Sequence, residues 1–304
     1  MRIAIVGAGG IGGGYGAAFA KSGEDVTFIA RGAHLAAMKT TGLRVDGGRG
    51  AMLVLPGLAT DGPRTVGAVD VVLFCVKLWD VESAGQQIKP MVGKDTAVIT
   101  LQNGVDAHER LVPILGARAV MPGVANISAT IAEPGLIRQT GTVMRMVFGE
   151  PDGSRSPRAV AFAEMCRKAG IDGVLSEAIL TDLWIKFVLL ASNAGVMALT
   201  RLPVGKLRDD TDINAMFRAA HTIKGSAGVV GLDAVVSFTH LVETAFEQIR
   251  SAQLHVSKPL AQLLLRCNDH VSALLDCAET AVEPPVALIE AGDALLAELK
   301  PWLQ

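Results

Sequence analysis

Charged residues are scarce in this sequence, and no long apolar run is present. Only 19% of the 304 residues are charged and half are hydrophobic, which excludes a disordered chain. No apolar run reaches the ~18–20 residues that a membrane span needs, because Ser192, Asn193 and Gly195 interrupt the best candidate, residues 187–199. We therefore predict no membrane partner. The N-terminus also lacks a basic and then apolar leader, so no signal peptide is expected.

Cysteine is equally scarce. The four cysteines are Cys75, Cys166, Cys267 and Cys277. They lie far apart and form no CxxC pair. This spacing is not typical of a disulfide framework or of a metal site. We expect reduced, buried thiols, no bound metal and a cytoplasmic location.

The charge of the chain is divided unevenly along a length that is about twice the usual domain size. Residues from Asp209 onward contain 6 basic and 13 acidic side chains, whereas residues up to Arg208 contain 22 basic and 17 acidic ones. This change in composition predicts a domain boundary near residue 208. The acidic C-terminal part also argues against a nucleic-acid partner.

Short apolar strands alternate with helical segments in the first half of the chain. This alternation predicts an α/β fold, a Rossmann-type doubly wound parallel sheet. The predicted strands are 2–6, 25–29, 69–76, 97–101 and 119–124, with helices at 81–91 and 107–115. The segment 126–149, rich in Thr, Val and Ile, predicts two or three antiparallel strands that close the sheet.

A glycine-rich turn follows the first strand directly, with the sequence Gly7-Ala8-Gly9-Gly10-Ile11-Gly12. Gly7 allows a tight turn, Gly9 lets the backbone approach a pyrophosphate, and Gly12 lets the helix pack on the strand. The start of the helix also offers free N–H groups and a positive dipole to the phosphates. This motif in a strand-to-helix context predicts a dinucleotide-binding site.

Three polar residues stand at the ends of apolar strands, where ligands bind in open α/β sheets. Arg31 follows the second strand, at a place where an NAD site would carry Asp or Glu. Because a guanidinium can pair with a 2′-phosphate, Arg31 favours NADP over NAD; a solvated surface arginine is the alternative. Lys77 and Asn103 end two further strands, and each could instead cap the next helix.

These motifs together resemble the ketopantoate reductase family over about residues 1–210. The resemblance rests on GAGGIG, IARG, CVK, LQNG, EPG at 133–135, LTDLWIKF at 180–187 and ALTRLPVGKLRDD at 198–210. It implies reduction of 2-dehydropantoate to pantoate with NADPH, for pantothenate and coenzyme A synthesis. It also implies a cleft lined by Lys77, Asn103 and Ala129. Together with Asn103, Lys186 would be catalytic, as the general acid that protonates the alkoxide after hydride transfer.

Two departures from that family are visible. Leu190 stands where an asparagine is expected one turn after Lys186, and neither Asn193 nor Gln102 is in register. The family's substrate-binding glutamate and its second helical half are not found after residue 210. The second domain of the reductase is therefore expected to be incomplete.

Residues 216–228, MFRAAHTIKGSAG, carry a different signature. They resemble the histidine phosphotransfer domain of CheA-type chemotaxis kinases, and this resemblance covers about residues 212–304. It implies that His221 is a phosphoacceptor and that a histidine kinase or response regulator is a partner. Helices are predicted at 212–229, 233–251, 257–278 and 285–299.

The spacing around the predicted phosphoacceptor fits this chemistry. One helix face would carry His221, Lys224, Gly225 and Gly228. An acceptor histidine must be exposed and neutral, Lys224 can offset the phosphoryl charge, and the glycines clear space for a partner protein. Glu243 is placed to bind the other ring nitrogen, and His240, one turn earlier, would join the same network.

The chain is thus interpreted as a dinucleotide-binding domain at 1–150, the start of a helical reductase domain at 151–208 and a phosphotransfer-like bundle at 209–304. The bundle is expected to lack its usual first helix, for which a helix at 178–199 could substitute. Three functions compete: an NADPH-dependent reductase of a small 2-oxo acid, a phosphorelay protein that only senses NADP(H), and a hybrid that retains only cofactor binding. We favour the first, in a homo-oligomer.

Overall fold

A computed structural model describes residues 1–55, 59–187 and 190, and residues 220–303 except 222, 226, 229–230, 252, 256 and 280–281. The chain divides into two compact units, Met1–Leu183 and Trp184–Gln304. The domain boundary predicted near residue 208 lies outside the described residues, and so does most of the proposed substitute helix at 178–199.

The first unit is built on a ten-stranded sheet. Its strands are β1 Arg2–Val6, β2 Asp25–Ile29, β3 Leu43–Gly47, β4 Met52–Val54, β5 Ala59–Thr60, β6 Val69–Phe74, β7 Val92–Thr100, β8 Val120–Glu133, β9 Leu136–Phe148 and β10 Asp172–Leu175. Their order is β4-β3-β9-β8-β7-β6-β1-β2-β5, and β10 pairs with β9. The central strands β2, β1, β6, β7 and β8 are parallel neighbours, which confirms the predicted doubly wound sheet.

The antiparallel segment beside this sheet differs from the prediction in its bounds. The strand predicted at 119–124 and the first strand of 126–149 are one continuous strand, β8, which pairs with β7 at its start and with β9 along the rest. The turn into β9 contains Gly135, whose φ of +81° favours glycine. One long hairpin therefore closes the parallel sheet, and β3, β4 and β10, which were not predicted, extend it.

Helices cover the sheet of the first unit. They are α1 Gly10–Lys21, α2 Gly32–Thr40, α3 Val81–Ile88, α4 Ala107–Leu115 and α5 Pro157–Lys168. A further helix, α6 at 179–187, begins in the first unit and continues into the second. Glycine inside a helix costs roughly 1 kcal/mol relative to alanine, yet α1 contains several. A Cβ at Gly16 would clash with the ring of Phe28 and lie 2.8 Å from Ile5 Cγ1. The glycines therefore let α1 lie close to the sheet, where its first turn meets β1.

The apolar core of the first unit lies on both faces of the sheet. On one face the Phe162 ring of α5 packs between Phe148 and Phe19, with centroids 4.6 and 5.9 Å away. On the other face, α3 and α4 cover the central strands with Ile88 and Leu111. Each buried side chain of this size contributes about 1.5–3 kcal/mol, so the strand ends that carry polar residues are held in place by the core beneath them.

The second unit is helical in its described residues. The described residues between 220 and 228 are all helical and are called here the His221 helix. They are followed by α7 Asp233–Arg250, α8 Lys258–Glu279 and α9 Val286–Leu299, which confirms the helices predicted at 233–251, 257–278 and 285–299. Their buried faces share one apolar core that includes Phe238, Phe246, Leu264 and Leu274. None of the described helices is long and apolar enough to cross a bilayer.

None of the four cysteines forms a disulfide bond within the described residues. Cys166 and Cys267 are buried, whereas Cys75 and Cys277 are partly buried. Burial raises the pKa of Cys166 to about 12 and that of Cys267 to about 11. Both of these thiols therefore stay protonated at neutral pH and act as small apolar side chains.

Candidate functional sites

The glycine turn between β1 and α1 has the backbone geometry that its motif predicts. Gly7 has a φ of +94°, and a Cβ there would lie 2.9 Å from the carbonyl carbon of Cys75. The N–H groups of Gly7 and Ala8 donate to the Ile29 carbonyl at 3.1 and 3.3 Å. The turn is thereby fastened to the carboxyl end of β2.

Glycines determine which side of the turn is closed and which is open. A side chain at Gly10 would clash with the Ala129 carbonyl, and one at Gly12 would clash with the Gly7 carbonyl. At Gly9, by contrast, no atom of the described residues lies within 4 Å of the place that a Cβ would take. The turn is therefore packed behind Gly10 and Gly12 and open in front of Gly9, with Ala129 of β8 against it.

The first turn of α1 is uncapped. Gly9 is its N-cap residue, no side chain accepts a hydrogen bond there, and the first turn holds no acidic residue. The first N–H groups of a helix, here from Gly10, Ile11 and Gly12, have no partner within the helix. Together with the helix dipole they attract anions. The open approach at Gly9 and these N–H groups fit the pyrophosphate of a dinucleotide.

The three polar residues predicted at strand ends lie at one edge of the sheet, because β2, β6 and β7 run in the same direction. Lys77 and Asn103 are exposed. Arg31 is the N-cap residue of α2, 85% of its side chain is exposed, and its Nη2 donates to Asp80 Oδ2 at 2.8 Å. The structure thus brings these three residues to the edge that also holds the glycine turn, and it adds a carboxylate, Asp80, that the sequence did not single out.

Gln102 is buried directly before Asn103. Its Nε2 donates to the carbonyls of Phe74 and Val76, at 2.8 and 3.1 Å. The side chain therefore ties the end of β7 to the end of β6. Its Oε1 is buried and has no hydrogen-bond partner among the described residues. Gln102 is a positioning residue for the loops that carry Lys77 and Asn103.

His34 was not predicted, and it connects the glycine turn to two other elements. On α2, its Nδ1 accepts from the Gly135 N–H at 3.1 Å, so its Nε2 carries the proton and donates to the Ala8 carbonyl at 2.9 Å. Burial lowers the pKa of His34 and outweighs the opposing effect of the bond to Ala8. The neutral imidazole therefore links the glycine turn at Ala8 to Gly135. This link explains why the EPG motif at 133–135 lies beside the turn.

Lys186 belongs to α6 and to the second unit, where it is partly buried. Leu190 is helical and partly buried as well. An apolar side chain thus occupies the position where the family's pattern has an asparagine. Asn193 lies outside the described residues. The assignment of Lys186 as a proton donor remains a prediction from its motif.

In the second unit, the carboxylate of Glu243 contacts both His221 and Lys224, the two side chains of the His221 helix that were predicted to serve phosphotransfer. His221 Nδ1 contacts Glu243 Oε1, and Lys224 Nζ contacts the other carboxylate oxygen, Oε2. The His221 side chain is 66% exposed, whereas that of Glu243 is only 12% exposed. Glu243 therefore orients a largely exposed imidazole from a sheltered position on α7.

The charge of Glu243 is secured by the same contacts. Burial raises the pKa of this carboxyl, but hydrogen bonds from Lys224 and His221 lower it more, and the net pKa lies below its ordinary value. Glu243 is therefore ionised at neutral pH. An ionised carboxylate accepts a hydrogen bond from Nδ1–H, which keeps the proton on Nδ1 and leaves the lone pair on Nε2.

Among the described residues, the two helix glycines beside His221 have few neighbours. No described atom lies within 4 Å of a Cβ built at Gly225, and one at Gly228 would meet Val236 at 3.9 Å. His240 is exposed on α7, one turn before Glu243. Glu243 contacts His221 and Lys224, and the place of His240 in this network remains a prediction.

The sheet, the glycine turn and the uncapped helix define a Rossmann-type dinucleotide-binding protein. Residues 3–153 match the family described as ketopantoate reductase PanE/ApbA. A 2-dehydropantoate 2-reductase of Mesorhizobium japonicum is 31% identical, and the alignment covers 98% of each chain. The crystal structure of 2-dehydropantoate 2-reductase from Porphyromonas gingivalis is 27% identical, with a TM-score of 0.68 over 98% of this chain and 99% of that one. The chain belongs to the ketopantoate reductase family.

A second family matches the C-terminal part. Residues 190–277 match the Hpt domain. The chemotaxis protein CheA of Cereibacter sphaeroides is 43% identical over 91 residues, which are 30% of this chain and 13% of that protein. The match to the Hpt domain begins earlier than residue 212, the start that the motifs predicted. It therefore includes residues before His221 that the motifs had assigned to the reductase. The first helix of the phosphotransfer bundle was expected to be missing from this part of the chain.

Proposed function

We propose that this protein reduces a small 2-oxo acid with NADPH, and that the substrate is 2-dehydropantoate, which becomes pantoate. The observation that carries this proposal is the open, uncapped glycine turn with Arg31 at the adjacent strand end. It occurs in a chain that aligns along 98% of its length with a protein named 2-dehydropantoate 2-reductase. The product would feed pantothenate synthesis.

Each predicted residue has a physical task in cofactor binding. The N–H groups at the start of α1 would hold the pyrophosphate, and the Arg31 guanidinium would pair with the 2′-phosphate. Lys77, Asn103 and Ala129 would line the cleft at the strand ends. NADPH supplies the hydride when bound.

The proton for the reduction would come from Lys186. As negative charge develops on the carbonyl oxygen of the substrate, a lysine ammonium nearby stabilises that charge and then transfers a proton to the oxygen. Lys186 is left as a neutral amine and regains its proton from water. Asn103 would support the same oxygen with a hydrogen bond from its amide.

The test is a steady-state assay of the full-length protein, in which the loss of NADPH absorbance is followed with 2-dehydropantoate and with other 2-oxo acids. We expect the highest kcat/KM with 2-dehydropantoate, and a lower value with NADH than with NADPH. If NADPH binds but no 2-oxo acid is reduced, the reductase function is wrong and a cofactor sensor is favoured.

A second function is supported by a different observation, the Glu243 carboxylate held between His221 and Lys224. We propose that His221 accepts a phosphoryl group from a histidine kinase. The Nε2 lone pair would attack the γ-phosphorus of ATP, the bond from that phosphorus to the bridging oxygen would break, and ADP would leave. Glu243 would hold the proton on Nδ1 by accepting its hydrogen bond, and Lys224 would offset the charge of the phosphoryl group. A response regulator would then receive the group.

A further inference from the structure

Asp80 stands where it could cap a helix but binds an arginine instead. It is the last residue of a short 3-10 helix, Leu78–Asp80, and the N-cap residue of α3, yet its side chain makes no capping hydrogen bond. Its Oδ2 accepts from Arg31 Nη2 at 2.8 Å, across 49 residues of sequence. The carboxylate is therefore placed beside the one side chain that was predicted to select the cofactor.

The two charges of this pair differ in their access to solvent. Only 24% of the Asp80 side chain is exposed, against 85% of the Arg31 side chain. An anion that approaches the outer side of the guanidinium thus also comes near a fixed negative charge behind it. At short range, in a partly shielded place, such a charge is screened less than it would be in bulk water.

We infer that Asp80 is a specificity-determining residue, which neutralises Arg31 and so reduces the preference for NADPH over NADH. This inference rests on the cofactor assignment of the proposed function. A 2′-phosphate carries about two negative charges at neutral pH, so Asp80 repels NADPH at this position. NADH has a hydroxyl there and meets no such repulsion. The preference for NADPH over NADH is therefore smaller than Arg31 alone would give.

The test compares the full-length protein with its Asp80→Asn variant, by isothermal titration calorimetry with NADPH and with NADH. Asparagine keeps the size of the side chain and removes the charge. We expect the Kd for NADPH to fall by about threefold to tenfold, and the Kd for NADH to stay unchanged. Raising the salt concentration should shrink the difference between the two proteins.

Two further variants keep this test specific. Asp95→Asn is the matched control, because Asp95 also pairs with an arginine, Arg118, at 2.8 Å, but near the start of β7 and away from the carboxyl ends of the strands; it should change neither Kd. Asp80→Ser keeps a side chain that caps helices well and should tighten NADPH binding as Asp80→Asn does. In the Arg31→Ala background, Asp80→Asn should still tighten NADPH binding, since the carboxylate repels the 2′-phosphate whether or not the guanidinium is present.

Two results would overturn the inference alone: weaker NADPH binding in the Asp80→Asn protein, which would mean that Asp80 orients Arg31, or an unchanged ratio of the two Kd values. If the unmodified protein binds neither nucleotide, the proposed function fails and the inference fails with it. The two failures are therefore distinguishable in the same titrations.

Discussion

At the scale of single residues, Lys186 is the side chain on which the proposed chemistry depends. If it donates the proton, Lys186→Ala should lower kcat by roughly 10²- to 10⁴-fold, while the Kd for NADPH stays nearly constant. Steady-state kinetics and calorimetry measure the two quantities separately. Lys94→Ala, at an exposed lysine of β7, is the control and should change neither. An unchanged kcat in the Lys186→Ala protein would assign the proton transfer to another group.

Residue type and strand position were enough to place Arg31, Lys77 and Asn103 at one edge of the sheet; their roles there stay predictions. The sequence alone could not identify His34 or Asp80. Their partners lie 26, 101 and 49 residues away, so only the packing of distant strand ends brings them together. For Glu243 the sequence was sufficient, because adjacent helices and a short connection restrict where an acidic side chain on α7 can reach.

The His221 helix offers a prediction at the scale of a secondary-structure element. Gly225 is exposed, with no described atom within 4 Å of a Cβ built there, so Gly225→Ala should stabilise the helix by about 0.5–1 kcal/mol. If the face that carries Gly225 receives a kinase, the same methyl group should slow phosphorylation of His221. Hydrogen exchange of the helical amides and a phosphorylation time course measure the two effects.

Gly292→Ala provides the matched control for that substitution. Gly292 is a helical glycine of α9, and a Cβ there would lie 2.5 Å from the His270 ring. Overpacking of this kind costs about 1–3 kcal/mol, so exchange in α8 and α9 should become faster. If Gly225→Ala slowed exchange but left the phosphorylation rate unchanged, the glycine face would have no role in docking.

The packing of α7, α8 and α9 also contains a titratable group. His270 of α8 is buried, with its ring centroid 4.4 Å from that of Phe238, and burial lowers its pKa. The unfolded chain therefore binds a proton at this residue more readily than the folded chain does, with an unfolded pKa of about 6.5. The free energy of unfolding of these helices should fall as the pH drops through that value toward the folded pKa.

Denaturant unfolding at several pH values between about 7 and 5 tests the role of His270. It should be followed by the exchange of amides in α7, α8 and α9. His270→Leu cannot take up a proton, so its stability in these helices should depend less on pH. Equal pH dependence in the two proteins would assign the effect to other groups.

Strands and helices were predictable to different degrees for physical reasons. The central strands are continuous apolar runs buried on both faces, a pattern that composition shows directly. By contrast, β8 changes partner along its length, from parallel pairing with β7 to antiparallel pairing with β9. No residue marks that change, so the sequence divided one strand into two. The edge strand β4 has three residues, too few to show a period.

At the scale of the whole molecule, the two family matches overlap more than the motifs suggested. The likeness to reductases was predicted for residues 1–210, but a relative aligns with 98% of the chain, and the Hpt match covers 190–277. The C-terminal helices therefore align with reductases and also carry phosphotransfer residues. The segment 190–277 is therefore similar in sequence to both families.

Phosphorylation separates the competing functions of the whole molecule most clearly. The chemistry needs the His221 helix and α7, which the structure describes with His221, Lys224 and Glu243 in contact. Incubation of the full-length protein with ATP and a CheA-type kinase domain should therefore produce one acid-labile, base-stable phosphoryl label. His221→Gln should abolish the label, because the nucleophilic nitrogen is lost.

Glu243→Gln should slow the labelling without abolishing it, because an amide holds the Nδ1 proton less firmly than a carboxylate does and fewer imidazoles present a lone pair at Nε2. His240→Gln is the matched control, since His240 is an exposed histidine one turn before Glu243; it should retain most of the label. A label that persists in the His221→Gln protein and disappears in the His240→Gln protein would transfer the acceptor role to His240. A folded protein that takes up no label would rule out the phosphorelay function and leave the reductase function.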